Sequence, residues 1–177
     1  MRTEAVNRVK LVFTLFDADG NGYLEPDDFD LMNRRVAEAA TASDDAARAA
    51  MASAFQRYWT TLVTELDANQ DGRISYEEFQ ACVLAPERFD DAIADFAHAL
   101  AALGDPDGDG LIERPLFVAL MTAIGFRLPN IHALFDAFAP DAADRVTVPV
   151  WVEAIKDYYH PLKGGIPADH LVGAPAV

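Results

Sequence analysis

The twelve residues 67–78 constrain the fold of this chain more strongly than any other segment. Side-chain oxygens stand at positions 1, 3, 5, 9 and 12 of this stretch, on Asp67, Asn69, Asp71, Ser75 and Glu78. Gly72 at position 6 permits a sharp turn with positive φ, and Arg73 at position 7 offers its backbone carbonyl. A hard divalent cation such as Ca²⁺ takes about six to eight oxygen ligands, which this spacing turns inward. The stretch therefore predicts a Ca²⁺-binding loop that the long carboxylate at position 12 closes with two oxygens.

The frame of apolar residues around this loop recurs three more times along the chain. Leu62 and Leu66 precede residues 67–78 at helical spacing, and Phe79 follows them. Around residues 17–28, 105–116 and 139–150, the matching residues are Val12, Phe16 and Phe29, then Leu100 and Phe117, then Leu134, Phe138 and Trp151. Because internal repeats define the architecture of a chain, we predict four helix–loop–helix units, whose loops are numbered one to four in chain order.

These four units resemble the EF-hand superfamily over nearly the whole chain except its C-terminal end. The long separation between Asp17 and Asp67, which begin loops one and two, is similar to that of sarcoplasmic calcium-binding proteins and the bacterial calerythrin-like proteins. The resemblance implies an all-α fold in which hand one pairs with hand two, and hand three with hand four. Each pair would be joined by a short two-stranded antiparallel contact, 23–25 beside 73–75 and 111–113 beside 145–147, with Leu24, Ile74, Ile112 and Val146 facing inward.

Loop one carries a nearly complete ligand set. Its expected ligands are Asp17, Asp19, Asn21, the Tyr23 carbonyl, Glu25 and Asp28. Asp28 at position 12 is one methylene shorter than glutamate, so it reaches an ion through one oxygen or through water. This lowers the coordination number toward the six that Mg²⁺ prefers. We expect loop one to bind Ca²⁺ with weaker discrimination against Mg²⁺, the alternative being an empty loop.

Loop three begins like a metal site and ends without its closing ligand. Asp105, Asp107, Asp109, the Leu111 carbonyl and Glu113 stand at ligand positions, but Leu116 occupies position 12. Its four carboxylates repel one another unless they are hydrated, paired or metal-bound. We expect a weak or an empty site, and the sequence does not choose between them.

Loop four lacks most of its ligands, with Ala139, Ala143 and Val150 at positions 1, 5 and 12. We expect it to bind no metal. The pattern predicts a division of labour in which the N-terminal pair binds ions and the C-terminal pair serves as its packing partner. Calerythrin-like proteins, by family resemblance, lose the second hand instead, so their site assignments do not transfer to this chain.

The chain divides most naturally between Ala85 and Pro86. We predict an N-terminal ion-binding EF-hand pair in residues 1–85, a largely degenerate C-terminal pair in 86–160 and an irregular tail in 161–177. Residues 41–45 are predicted to break the helices between hands one and two, before a long amphipathic helix that enters loop two. The tail either frays or packs Ile166, Leu171 and Val172 against the helices.

The net charge of −15 argues against nucleic acid and anionic membrane surfaces as partners and favours cations. No apolar run approaches the length of a membrane helix, and the N-terminal residues are unlike a signal peptide, so we expect a cytosolic monomer. Arginine outnumbers lysine and alanine is abundant, which is typical of a GC-rich bacterial genome.

Four scattered histidines and the absence of any nucleophile or phosphate-loop motif give no support for an enzyme. We therefore expect a Ca²⁺ buffer or transporter that uses loops one and two. A sensor that regulates a partner protein through an exposed groove is the alternative, although four methionines are few for such a groove. A structural Mg²⁺-bound protein is a third interpretation.

Overall fold

The structure is a computed structural model that describes residues 3–82, apart from the Cys82 side chain, and residues 88–173. The predicted boundary between Ala85 and Pro86 lies outside these residues. The division into domains therefore stays a prediction.

Helices flank each loop in the described ranges. They are α1 (Thr3–Phe16), α2 (Pro26–Ala39), α3 (Asp45–Leu66), α4 (Tyr76–Cys82), α5 (Asp90–Gly104), α6 (Arg114–Ile124), α7 (Leu128–Ala137) and α8 (Val148–Tyr158), followed by a 3₁₀ helix, Pro167–Leu171. The break between α2 and α3 falls where the sequence predicts it, and Asp44 caps α3 by accepting a 2.7 Å hydrogen bond from the Ala47 N–H. The predicted all-α fold of helix–loop–helix units is confirmed.

Two short antiparallel sheets join the loops in pairs. Strand β1 (Tyr23–Leu24) pairs with β2 (Ile74–Ser75), and β3 (Leu111–Glu113) pairs with β4 (Arg145–Thr147). Leu24 lies opposite Ile74, and Ile112 lies opposite Val146. All four of these side chains are buried, as expected of branched apolar residues that face the core. The predicted pairing of hand one with two and of hand three with four is confirmed.

The two pairs share one hydrophobic core. Helix α3 packs against α5, and α2 packs against α6, so helices of the N-terminal pair lie directly on helices of the C-terminal pair. The Phe55 and Phe96 rings meet edge to face with centroids 5.2 Å apart, which joins α3 to α5. Burying a ring of this size stabilises the fold by about 1.5–3 kcal/mol. The N-terminal and C-terminal pairs are therefore coupled through the core.

Residues 166–173, the last ones that the structure describes, pack against the helices. Ala168 and Leu171 are buried in the 3₁₀ helix, and Ile166 packs partly buried beside them. The buried Asn130 side chain on α7 donates 2.9 Å hydrogen bonds to the carbonyls of Leu171 and Gly173. Among the described helices, none combines the length and apolar character needed to cross a membrane.

Candidate metal centres

Loop one turns its side-chain oxygens inward through hydrogen bonds from its own backbone. Gly22 has φ +88°, in the left-handed region, and its N–H donates to Oδ2 of Asp17 at 2.9 Å. Asp19 Oδ1 accepts from the Asn21 N–H at 3.0 Å, and Asn21 Oδ1 accepts from the Tyr23 N–H at 2.9 Å. These hydrogen bonds orient the side chains of the first three expected ligands without an ion.

Asp28 closes loop one from the first turn of α2. The residue is only 3% exposed, and its two carboxylate oxygens accept 2.9 Å hydrogen bonds from the Ala18 N–H and the Glu25 N–H. Burial raises the pKa of Asp28 above its usual value, although these backbone hydrogen bonds act in the opposite direction. The Asp28 carboxylate thus bridges the first and the second half of loop one in a partly desolvated position.

One oxygen from each of Asp17, Asp19 and Asp28 lies within 4.8 Å of the other two. Oδ1 of Asp17 is buried and accepts no hydrogen bond from the residues that the structure describes. Three converging carboxylates, one with an unpaired buried oxygen, are costly without a cation. The side chain of Glu25 stands beside them and accepts a 2.7 Å hydrogen bond from the Asn21 amide. These residues fit a hard divalent ion.

Loop two folds in the same way. Gly72 has φ +78°, and its N–H donates to Oδ2 of Asp67 at 2.9 Å. Asn69 Oδ1 accepts from the Asp71 N–H at 3.0 Å, and Asp71 Oδ1 accepts from the Arg73 N–H at 2.9 Å. Position 3 is an amide here, and in the described ranges loop two forms no group of three carboxylates as tight as that of loop one.

Glu78 closes loop two with the contacts that Asp28 makes in loop one. Its Oε1 accepts from the Ala68 N–H at 3.1 Å, and its Oε2 accepts from the Ser75 N–H at 2.9 Å and the Ser75 hydroxyl at 2.8 Å. The hydrogen bond from the Ser75 N–H lowers the pKa of Glu78, and the other two bonds act in the same direction. Glu78 is half-buried, whereas the shorter Asp28 reaches the equivalent donors from a deeper position. The assignment of ligands in both loops stays a prediction.

Loop three keeps the metal-loop backbone without the closing group. Oxygens of Asp105, Asp107 and Asp109 lie within 4.8 Å of one another. Leu116 at position 12 is half-buried and packs against the hydrophobic core, so its side chain offers no oxygen to a metal ion. Glu113 lies opposite Arg145 in the β3–β4 register, which brings a positive charge to this loop.

Two arginines hold loop four, and the sequence reasoning did not identify them. Arg114 donates to both oxygens of Asp144 at 2.7 and 2.8 Å and to Asp136 at 2.7 Å. Arg145 folds back on Asp141 with hydrogen bonds of 3.2 and 2.9 Å. Arg114 lowers the pKa of Asp144, and Arg145 lowers the pKa of Asp141. Guanidinium groups therefore supply the positive charge in this loop.

Three comparisons with known proteins find similarity to EF-hand and calcium-binding proteins. An EF-hand domain pair model matches residues 6–84. Calerythrin from Saccharopolyspora erythraea is 26% identical over 165 residues, which cover 88% of this chain and 92% of calerythrin. A calcium-binding protein from Streptomyces coelicolor, whose structure is associated with prokaryotic calcium-mediated regulation, shares 26% sequence identity with this chain. The two structures superpose with a TM-score of 0.73 over 90% of this chain and 99% of the Streptomyces protein.

A sarcoplasmic calcium-binding protein from amphioxus superposes with a TM-score of 0.70 over 98% of both chains. At 19% identity this similarity shows the fold alone. The described helices, the paired loops and the matched domain model all indicate the same fold. The chain therefore has the EF-hand fold, and its residues 6–84 match the model of an EF-hand domain pair.

Proposed function

We propose that this protein binds Ca²⁺ at loops one and two and acts as a Ca²⁺ buffer or transporter. The observation that carries the proposal is the convergence of the Asp17, Asp19 and Asp28 carboxylates, one of which, Asp17, has a buried Oδ1 that accepts no hydrogen bond from the described residues. The side-chain ligands would be Asp17, Asp19, Asn21, Glu25 and Asp28 in loop one and Asp67, Asn69, Asp71, Ser75 and Glu78 in loop two. The carbonyls of Tyr23 and Arg73 would complete the two sets.

The closing carboxylates differ in a way that sets ion preference. Asp28 is buried and short, so it supplies fewer oxygens to a large ion than Glu78 does. Mg²⁺ demands about six ligands in near-ideal octahedral geometry, which a one-oxygen closing ligand suits. Loop one would therefore discriminate less strongly against Mg²⁺ than loop two.

The two proposed sites lie next to each other across the β1–β2 sheet. The guanidinium of Arg73 lies 4.5 Å from the centroid of the Tyr23 ring, and these residues supply the position-7 carbonyls of the two loops. Movement of either carbonyl on ion binding is thus transmitted to the other strand. This supports cooperative binding by the N-terminal pair.

The C-terminal pair would act as the scaffold. Arg114 and Arg145 place fixed positive charges on the carboxylates of loop four, so this loop needs no ion to offset its charge. Loop three, which lacks a closing oxygen, would contribute a weak site at most. This preserves the division of labour that the sequence predicts.

Buffering is favoured over sensing by the position of the methionines. In the described ranges, Met32, Met51 and Met121 are all buried in the shared core. Sensor hands expose a methionine-rich groove when Ca²⁺ binds. The candidate alternative is a sensor, which the calcium-mediated regulation attributed to the Streptomyces coelicolor protein favours.

Calcium calorimetry on the full chain tests the binding proposal. Glu78→Gln should remove the loop-two event and leave loop one, Asp28→Ala should do the reverse, and Asp109→Ala should change neither. Unchanged stoichiometry in both Glu78→Gln and Asp28→Ala would contradict the proposal. A hydrophobic dye added with and without Ca²⁺ separates the two functions, because a large Ca²⁺-dependent rise in bound dye would favour the sensor.

A further inference from the structure

The fully buried Arg8 on α1 is joined to the chain's C-terminal segment, defined here as residues 160–173. Its guanidinium donates to the carbonyls of His160 at 3.1 Å and Lys163 at 3.0 Å and forms an ion pair with Asp169. It also donates to the Tyr158 carbonyl at the end of α8, at 2.7 Å. A buried guanidinium must be paired to be tolerated, so these partners are fixed together with α1.

Asp169 carries this connection into the 3₁₀ helix. Its second oxygen accepts hydrogen bonds from the Gly165 N–H at 2.7 Å and the Ile166 N–H at 3.1 Å. Leu171, two residues further on, is buried against the core. One carboxylate therefore joins α1 to the residues that begin the 3₁₀ helix.

Helix α1 leads directly into loop one. The Asp17 N–H still donates to the Phe13 carbonyl at 2.9 Å, so the first ligand residue continues the hydrogen-bond pattern of the helix. Arg8 lies nine residues before Asp17 on the same rigid element, about 13 Å along the axis. The orientation of α1 therefore contributes to where the Asp17 carboxylate lies relative to Asp19 and Asp28, together with the hydrogen bond from the Gly22 N–H.

The C-terminal segment reaches loop two less directly. Helices α3 and α4, which flank loop two, make their main contacts with α1, α2, α5 and each other, so the segment acts on them through α1, whereas α1 itself packs against the 3₁₀ helix. A change in the docking of the C-terminal segment should therefore act first on loop one.

We infer that Arg8 and Asp169 are positioning residues for the first Ca²⁺ site, and that the C-terminal segment clamps α1 in the orientation in which the loop-one carboxylates converge. This rests on the proposed binding of Ca²⁺ at loop one. Because coupling between two sites is reciprocal, Ca²⁺ at loop one stabilises the docked segment by the same factor by which the docked segment strengthens Ca²⁺ binding.

The first test compares Asp169→Asn with Glu153→Gln, a matched loss of one carboxylate on the exposed surface of α8. Calcium calorimetry is performed in the Glu78→Gln background to isolate loop one and in the Asp28→Ala background to isolate loop two. Asp169→Asn should weaken loop-one binding by about fivefold or more and leave loop two unchanged, and Glu153→Gln should change neither. Equal loop-one affinities for Asp169→Asn and Glu153→Gln would overturn the inference.

The second test leaves the clamp residues intact, so it does not depend on the folding of a clamp variant. Hydrogen exchange is followed at the Asp169 and Val172 amides, which donate to the Ile166 and Asp169 carbonyls. Ca²⁺ should slow their exchange in Glu78→Gln but not in Asp28→Ala. Ca²⁺ binding at loop one without slower exchange overturns this inference alone, whereas no loop-one binding in Glu78→Gln overturns the proposed function as well.

Discussion

Arg114 and Asp144 form a two-hydrogen-bond pair, with distances of 2.7 and 2.8 Å, that spans from the end of loop three to loop four. Asp144 stands where the other loops have glycine, and it adopts φ +62°. The pair thus fixes the turn of a loop that has lost its metal ligands. A guanidinium and a carboxylate meet in a planar, bidentate geometry that makes this kind of pair strong.

Replacing Arg114 should loosen the C-terminal pair. Arg114→Gln removes both bonds to Asp144, the bond to Asp136 and the packing of the guanidinium 4.4 Å from the Phe135 ring centroid. The midpoint of thermal unfolding without Ca²⁺ should fall by roughly 2–4 °C, since a partly exposed pair contributes little more. Arg127→Gln, on an exposed arginine at the start of α7, is the control and should leave the midpoint unchanged. Equal midpoints for the two variants would contradict this role.

Loop one should lose Ca²⁺ before loop two as the pH falls. Burial raises the pKa of Asp28, and the hydrogen bond from the Ser75 N–H lowers that of Glu78, so protons compete with the ion at Asp28 first. In the Ca²⁺-free protein, the two carboxylates make contributions to folding stability that change with pH in opposite directions. The stabilising contribution of Glu78 is present above its unfolded pKa and is lost as the pH falls through its folded pKa, whereas that of Asp28 is present at low pH and is lost as the pH rises through its folded pKa.

Calorimetry near pH 7 and pH 5 measures this difference in the two single-site backgrounds. The loss of affinity should be larger for Glu78→Gln, which retains loop one, than for Asp28→Ala, which retains loop two. A larger loss of affinity in Asp28→Ala would show that protonation of Asp28 does not cause the pH dependence.

Exchanging the closing residues should exchange the ion preferences. Asp28→Glu adds the methylene that permits two-oxygen closure, so the ratio of Ca²⁺ to Mg²⁺ affinity at loop one should rise by roughly tenfold. Glu78→Asp is the matched change and should lower the ratio at loop two. Competition of Mg²⁺ against a Ca²⁺ titration measures both ratios. If neither ratio changes, the length of the position-12 side chain does not set selectivity here.

Tyr23 should contribute to coupling between the two sites. Tyr23→Leu removes the ring beneath the Arg73 guanidinium and keeps an apolar side chain, so the ratio of the stepwise Ca²⁺ constants should drop about two- to fivefold. Tyr23→Phe retains a ring and should preserve most of the ratio. Global fitting of Ca²⁺ titrations gives both constants, and a similar loss in Tyr23→Phe would exclude the ring–guanidinium contact as the cause.

The sequence was sufficient to predict the local parts of this structure. The spacing of Asp67, Asn69 and Asp71 before Gly72 encodes a loop whose first three side chains are oriented by hydrogen bonds from the backbone of the same twelve residues. Leu24 and Ile74 stand at the same place in their repeats, and the resemblance to EF-hand proteins implies that residues at this place meet, as they do here. These features depend on short-range geometry and on a period, and both are visible in one chain.

The long-range pairs could not be predicted in this way. Arg114 and Asp144 lie 30 residues apart, and Arg8 and Asp169 lie 161 apart, with no period that relates them. A charged residue near the start of an amphipathic helix ordinarily lies at the surface. The Arg8 side chain is nevertheless fully buried, because the C-terminal segment supplies its partners. Packing of that segment, which the sequence left open, decides the burial of this residue.

The double variant Asp28→Ala/Glu78→Gln tests the central claim most directly. It removes both closing carboxylates and leaves the Asp105, Asp107 and Asp109 cluster of loop three intact. Calcium calorimetry should give two tight binding events in the wild type and none in the double variant. A tight event that persists in the double variant would place the working site in the C-terminal pair and contradict the account.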